Sequence, residues 1–268
     1  MRLWYQLLSS EKRLSNFLAC LGRLTAGAAA PGTTVEVRGT REGALGDQYR
    51  FFWHYDVREV VDNGLKVRAA VRASKSYDAF VIANSLDPAL VELREMLDIP
   101  VLSFMEVSCF TACMMGERFG LVVPNERMAP HYRSIVRSHG LESRMAAVEA
   151  LKVEMMTRFD DAFTDAAAGA QLYEQIQEAC RRAIARGAEV LILTGPQSAF
   201  MAERGEHLID GVPVLDSYRL LVKQAEALVA MKKLTGVHVS RKLLYQSPPA
   251  ELIRQAAEIR EIDAIRGS

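Results

Sequence analysis

Short, wholly apolar runs recur between longer segments of helical spacing, and this alternation limits the fold more than any other feature. Residues 79–83 (AFVIA) and 190–194 (VLILT) carry almost no polar side chain. A strand of that composition must be covered on both faces, the condition of a parallel sheet sandwiched by helices. Residues 3–8, 100–104 and 119–123 read as further strands, 34–38 alternate like one, and 212–215 are short and extended. Helical spacing fits residues 10–24, with Leu14, Phe17, Leu18 and Leu21 on one face. It also fits 64–74, 133–138, the alanine-rich 160–186 and 217–232. Asp87 and Pro88 read as a helix start, because Asp satisfies orphan N–H groups and Pro suits the first helical position. The β-then-α order predicts right-handed βαβ units.

The two halves echo each other. Residues 77–85 resemble 187–195, and each stretch leads into a helix and then a proline-containing strand, at 99–103 and 212–216. An offset of roughly 110 residues is too long for a solenoid and suits duplicated domains. The expected fold class is α/β: two similar Rossmann-like domains with parallel sheets, related by a pseudo-twofold axis, with a cleft between them. The expected division is 1–104 plus 215–250 for one half, 105–214 for the other, and 251–268 as a C-terminal tail. Ligands of open parallel sheets bind beyond the carboxyl ends of the strands. The loops at 84–87 and 194–198 are therefore expected to meet across the cleft.

Lys plus Arg number 33, as do Asp plus Glu, so no field of one sign gathers nucleic acid or an anionic membrane. No run approaches the roughly 18 apolar residues of a membrane span, and the start does not read as a signal peptide. The four cysteines, Cys20, Cys109, Cys113 and Cys180, form no CxxC pair or Cys/His cluster, so no metal site is expected and the thiols suit a cytoplasmic protein. Cys109 and Cys113 share a helix face and read as core residues, although a helix N-terminus aimed into the cleft would lower the Cys109 pKa. Glycine-rich phosphate loops and an HExxH pattern are lacking, so no cofactor is expected.

The loop carrying Asn84, Ser85, Leu86 and Asp87 is the leading anion cradle, from its backbone N–H groups and the helix after it; Asp87 or Ser85 can equally serve that helix as a cap. On the second loop, Pro196, Gln197 and Ser198 face the same cleft. Gln197 can orient an amide or carboxylate but is a poor base, and Ser198 can equally cap the next helix. His54, in the aromatic segment RFFWHYD, suits proton transfer beneath a lid, and His131 beside Tyr132 is similar. Asp216 and Ser217 end a strand and can touch substrate, or Asp216 can cap the helix expected from 217. Tyr245 and Arg241 can close over the cleft.

Taken in order, these pieces resemble the aspartate/glutamate/hydantoin racemase superfamily. They are residues 81–88, DIPV at 98–101, Glu106 leading a helix that ends near Gly116, and FGLV at 119–122. EAC at 178–180, GAEV at 187–190, GVPVLD at 211–216, AEA at 225–227, and SRKLLY with the later PP in the tail complete the likeness. The resemblance implies two facing cysteines, one thiolate removing an α-proton and the other thiol returning one. Here the expected positions hold Asn84 and Pro196, neither of which carries a thiol. The position of Glu106 suggests a buried carboxylate of raised pKa or a helix-start acid. Asn84, Gln197, His54 and Glu106 are then the catalytic candidates. Ser85, Leu86, Asp87, Pro196, Ser198, Asp216, Ser217 and Tyr245 are the substrate-binding ones. The implied protein is a cofactor-independent isomerase or racemase, homo-oligomeric, acting through a carbanion or enolate on a small carboxylate or cyclic amide. Decarboxylation, amide hydrolysis and ligand binding without turnover are the alternatives.

Overall fold

The computed structural model describes residues 1–41, 53–73 and 76–259. Its first sheet has β1 (Arg2–Ser10) between β2 (Thr34–Thr40) and β3 (Ala79–Ile82), with β4 (Val101–Ser103) outside β3, all parallel. The second sheet has β5 (Phe119–Val123) between β6 (Met145–Ala150) and β7 (Val190–Leu193), again all parallel. In both sheets the first strand lies centrally, with the second and third on either side. A short antiparallel pair, β8 (Leu208–Ile209) and β9 (Val212–Pro213), flanks the second sheet through a bridge from Val214 to Leu191.

The apolar runs are buried for the reason their composition gave. Leu3, Tyr5 and Leu7 of β1 point into a core that continues through Leu121 and Val123 of β5 to Leu191 and Leu193 of β7. Residues of opposite parity, such as Leu8, Phe80 and Ile82, face a second cluster under α2 (Trp53–Arg72) and α3 (Leu90–Met96). The shared core is covered by α1 (Ser15–Ala28), α4 (Phe104–Met115), α5 (Ala129–Ser138), α6 (Met156–Ala162), α7 (Ala166–Ala185), α8 (Pro196–Glu203) and α9 (Ser217–Thr235). From the end of the second sheet α9 runs back against α1, α4, β3 and β4, while α10 (Ala250–Ile259) lies in the tail. No helix among the described residues is long and apolar enough to cross a membrane.

Three expectations need correction. The helix expected at 64–74 begins at Trp53, so the aromatic segment enters α2 as far as its backbone is described. The helix expected from Asp87 begins at Leu90, because Asp87 and Ala89 both hold positive φ, 46° and 58°. Strand β6 had no sequence signal: MAAVEA is alanine-rich and only half buried, as an edge strand can be.

Candidate active site

Hydrogen bonds at the strand tips fix how the two halves correspond. The Ala83 N–H donates to Gln6 O at 2.7 Å, and the Thr194 N–H donates to Val122 O at 3.0 Å. Ile82 pairs with Gln6, and Leu193 with Val122. Ala83 is therefore the counterpart of Thr194, and Asn84 that of Gly195. The sequence pattern placed Pro196 opposite Asn84, one residue too late. Gly195 has φ 73° and ψ −150°, a conformation that L residues rarely adopt. A cysteine there would be strained whatever its neighbours.

The two turns share one hollow. Asn84, Ser85, Leu86, Gly195 and Pro196 line it, with Leu7, Ser9, Phe17, Tyr132, Met156 and Tyr218. Its free volume of about 20 Å³ holds roughly one water. Ser85 and Tyr132 hydroxyls lie 2.8 Å apart, both residues buried. Burial pushes the Tyr132 phenol up to about 12, against the opposing hydrogen bonds of Ser85 and Thr194.

The expected backbone cradle is largely spent. The Leu86 N–H donates to Asn84 Oδ1 at 2.9 Å, and the Asp87 N–H donates to Asn84 O at 3.1 Å. With Oδ1 so engaged, the Asn84 amide nitrogen is the half that remains to donate into the hollow. From the other turn Gly195 and Pro196 present the N-terminus of α8; Pro196 carries no N–H and the Ser198 N–H is spent on Gly195 O, so it is the helix dipole that favours negative charge there.

Several candidates serve other purposes. Asp87 caps α4 rather than its own helix: its carboxylate accepts from the Met105 N–H at 2.8 Å and the Glu106 N–H at 3.0 Å, and Oδ2 lies 3.3 Å from His139 Nε2. Glu106 pairs with Arg94, whose Nη1 donates to it at 2.8 Å. Gln197 is fully buried, its Nε2 donating to Val122 O at 3.1 Å, and is not in the lining. Ser198 is buried behind the turn, its N–H donating to Gly195 O at 3.0 Å. Asp216 caps α9 through the Arg219 N–H at 3.1 Å, with Ser217 buried beside it; neither lines the hollow. Tyr245 rides over Arg94, and Arg241 donates to Arg94 O and Tyr245 O, so this part of the tail packs on α3 and not over the cleft. His54 lies in the first turn of α2, with its side chain outside the described residues. Burial lowers the His131 pKa, and this residue is not in the lining.

The cysteines are not in the lining either. Burial pushes Cys109 and Cys20 up, and Cys180 up to about 12, so the lowered Cys109 pKa is also corrected. Cys109→Ala should change catalysis less than about twofold, as a packing change distant from the reacting atoms does. A loss of turnover in well-folded Cys109→Ala, checked by circular dichroism, would return that thiol to the site.

Sequence reasoning missed Leu7, Ser9, Phe17, Tyr132, Met156 and Tyr218 as site residues, and placed Gly195 in the second loop without giving it a role. Ser9 carried a usable signal, as a polar residue at the carboxyl end of an apolar strand. Leu7, Phe17, Tyr132, Met156 and Tyr218 arrive from a strand and helices whose spacing marks only a buried face.

Facing strand tips around one hollow define a two-sheet α/β scaffold with a pseudo-symmetric site. The profile of the family described as Asp/Glu/Hydantoin racemase matches residues 17–225, and the chain belongs to that family. It is similar to the hydantoin racemase of Paenarthrobacter aurescens, 29% identical over 173 residues, covering 64% of this chain and 68% of that one. A hydantoin racemase of Pseudomonas sp. (strain NS671) is 33% identical over 161 residues, covering 59% and 61%. Among solved structures, the allantoin racemase from Klebsiella pneumoniae superposes with a TM-score of 0.71 at 24% identity, covering 92% of this chain and 94% of that one. That last likeness is one of fold.

Proposed function

We propose that the chain is a cofactor-independent racemase-type enzyme that exchanges the α-proton of a small cyclic amide of the hydantoin class, with hydroxyl groups in place of thiols. The observation that carries this reading is the Ser85–Tyr132 pair inside a hollow shared by both strand-tip turns, which must part beyond the present 20 Å³ to admit the ring. Tyr132, ionised, takes the α-proton and gives it back as phenol, with Ser85 holding its oxygen. The Asn84 amide donates to the enolate oxygen and the α8 dipole adds to its stabilisation, both fixed in advance of the developing charge. The enolate is planar, so racemisation follows when it turns over in the hollow and takes the proton back from the Tyr132 phenol on its other face. Residues 1–104 with 215–250, and 105–214, form the two halves. Exposed Phe110, Met114 and Met115 on α4 and Met231 on α9, a helix packed against α4, support a homo-oligomer. The free thiols support a cytoplasmic setting.

The test is reaction of a single enantiomer of a 5-substituted hydantoin in deuterium oxide. One deuteron should enter at the α-carbon as optical rotation decays, with no carbon dioxide and no ring-opened acid. Release of either product would replace this reading with a lyase or hydrolase. A second reading rests on the lining itself, which among the described residues contains no thiol, carboxylate or imidazole. Such a hollow also suits binding without turnover, and saturable binding with no deuterium uptake would establish it.

A further inference from the structure

A second cavity, with about 600 Å³ of free volume, lies between α2 and the carboxyl ends of β1 and β2. Its size is that of a small-molecule site. It shares no lining residue with the hollow at the strand-tip turns. Lys12, Arg38, Arg41 and Lys66 line it, against the carboxylates of Glu11 and Glu59. Among the described residues positive charge is therefore in excess there, on a chain whose net charge is zero.

The floor is polar and fixed. Around it the sheet face under α2 is apolar, with Leu8, Phe80 and Ile82 packed against Val60 and Val67. Gln6, on the same face of β1, is fully buried. Its Oε1 accepts from Trp4 Nε1 at 2.9 Å and from Asn63 Nδ2 at 3.0 Å, and its Nε2 donates to Leu7 O at 2.8 Å. Asn63 Oδ1 in turn accepts from Lys66 Nζ at 3.0 Å. This ladder of satisfied amides holds the Lys66 ammonium at the cavity, and its neutral partner leaves the charge to be met.

The acids are engaged by the fold. Glu11 Oε1 accepts from the Gly39 N–H at 2.9 Å, and Glu59 Oε1 from the Arg41 N–H at 2.7 Å. The end of β2 is thereby tied both to the chain leaving β1 and to α2. Gly39 permits the first tie, since a Cβ there would meet Ser9 O at 2.3 Å and Glu11 Cγ at 2.8 Å. Arg38 Nε donates at 2.9 Å to Glu36, which is not in the lining, and its guanidinium lies 5.9 Å from the Trp4 ring centre.

We propose that this cavity binds a small organic dianion, a dicarboxylate or a phosphate monoester, through Lys12, Arg41 and Lys66. The site is independent of the reaction proposed for the hollow. A cleft with cations in excess and low-dielectric walls concentrates anions. The two charges of the ligand match the excess of cations over carboxylates in the lining. The Arg41 fork suits either head group, because carboxylate and phosphate oxygens both accept two parallel N–H bonds. Lys66 is held before the ligand arrives, so little of its freedom is lost on binding.

Succinate, glycerol 2-phosphate and neutral succinamide are the probes, titrated calorimetrically into the whole protein at low ionic strength. At least one of the anions should saturate a single site below about 10 mM, and succinamide, the same skeleton without charge, should not. Saturation by only one anion names its head group as the one the cavity takes. Lys66→Gln and Arg41→Gln, verified as folded by circular dichroism, should each weaken that anion about tenfold, the effect of losing one charge-assisted hydrogen bond. Lys233→Gln removes the same charge from an exposed position near the end of α9 and should change Kd less than about twofold. Absence of binding by both anions, or equal binding of succinamide, overturns the site. Wild-type affinity in either cavity variant does the same, as does a loss in Lys233→Gln as large as theirs. Deuterium exchange in the hollow stands or falls separately.

Discussion

Tyr132→Phe should lower α-proton exchange by about 10²–10⁴-fold, the range set by removing a positioned acid–base group. KM should move less than about threefold, because the ring and its contacts stay and only the oxygen is lost. Ser85→Ala should cost less, since the phenol remains and loses one partner at 2.8 Å. The pH profile separates a proton carrier from a packing residue. With the Tyr132 phenol pushed up to about 12, only about one molecule in 10⁴ holds the phenolate at pH 8. Exchange should therefore climb about tenfold per pH unit across the neutral and mildly alkaline range. The sign of the linkage limits that range. The fold holds the Tyr132 proton more tightly than the unfolded chain does, so this contribution to stability is complete below about pH 10 and is lost as pH rises from there toward about 12. The profile is accordingly read from about pH 7 to 9.5. A wild-type rate that stays flat over that span would remove Tyr132 from the proton-transfer step.

The sheet strands were legible because burial on both faces leaves a strand nothing but apolar residues to use. The runs at 79–83 and 190–194 needed no tertiary information, and their shared shape correctly led to turns that meet. Side-chain direction beyond the strands was not legible. Asn84 and Gly195 are counterparts only because Ala83 and Thr194 make the same strand-tip hydrogen bond. Counting along the sequence instead gave Pro196. Gln197 and Asp216 have the right chemistry in the right loops, yet neither lines the hollow: the Gln197 amide nitrogen is held by Val122 O and the Asp216 carboxylate by the Arg219 N–H. Asp216 uses the local partner that a short polar side chain beside a helix start has available, whereas Gln197 reaches β5 across the fold; sequence alone ranks neither against a ligand. Tyr132 is the converse. It lies on α5, outside both strand-tip loops, and becomes a site residue only because that helix lays its hydroxyl against Ser85.

Asp87→Ala should destabilise the fold by about 2–4 kcal/mol, measured by urea unfolding. Three losses combine. The Met105 and Glu106 N–H groups at the start of α4 lose their acceptor, and His139 loses its carboxylate partner. The Asp87 side chain is only 6% exposed, so water replaces these bonds poorly. Alanine must also hold φ near 46°, a region more open to Asp than to Ala. Asp87→Asn keeps an acceptor oxygen but not the charge that suits a helix N-terminus, and should cost about half as much. The functional consequence is separable from the stability loss. Helix α5 and its C-cap grip the strand-tip loop at two points, Tyr132 on Ser85 and His139 on Asp87. Releasing the second point frees the loop to shift Ser85 from the phenol, so exchange should fall more steeply than the folded fraction at temperatures where Asp87→Ala remains native. Activity that tracks the folded fraction alone would make Asp87 a cap and nothing more.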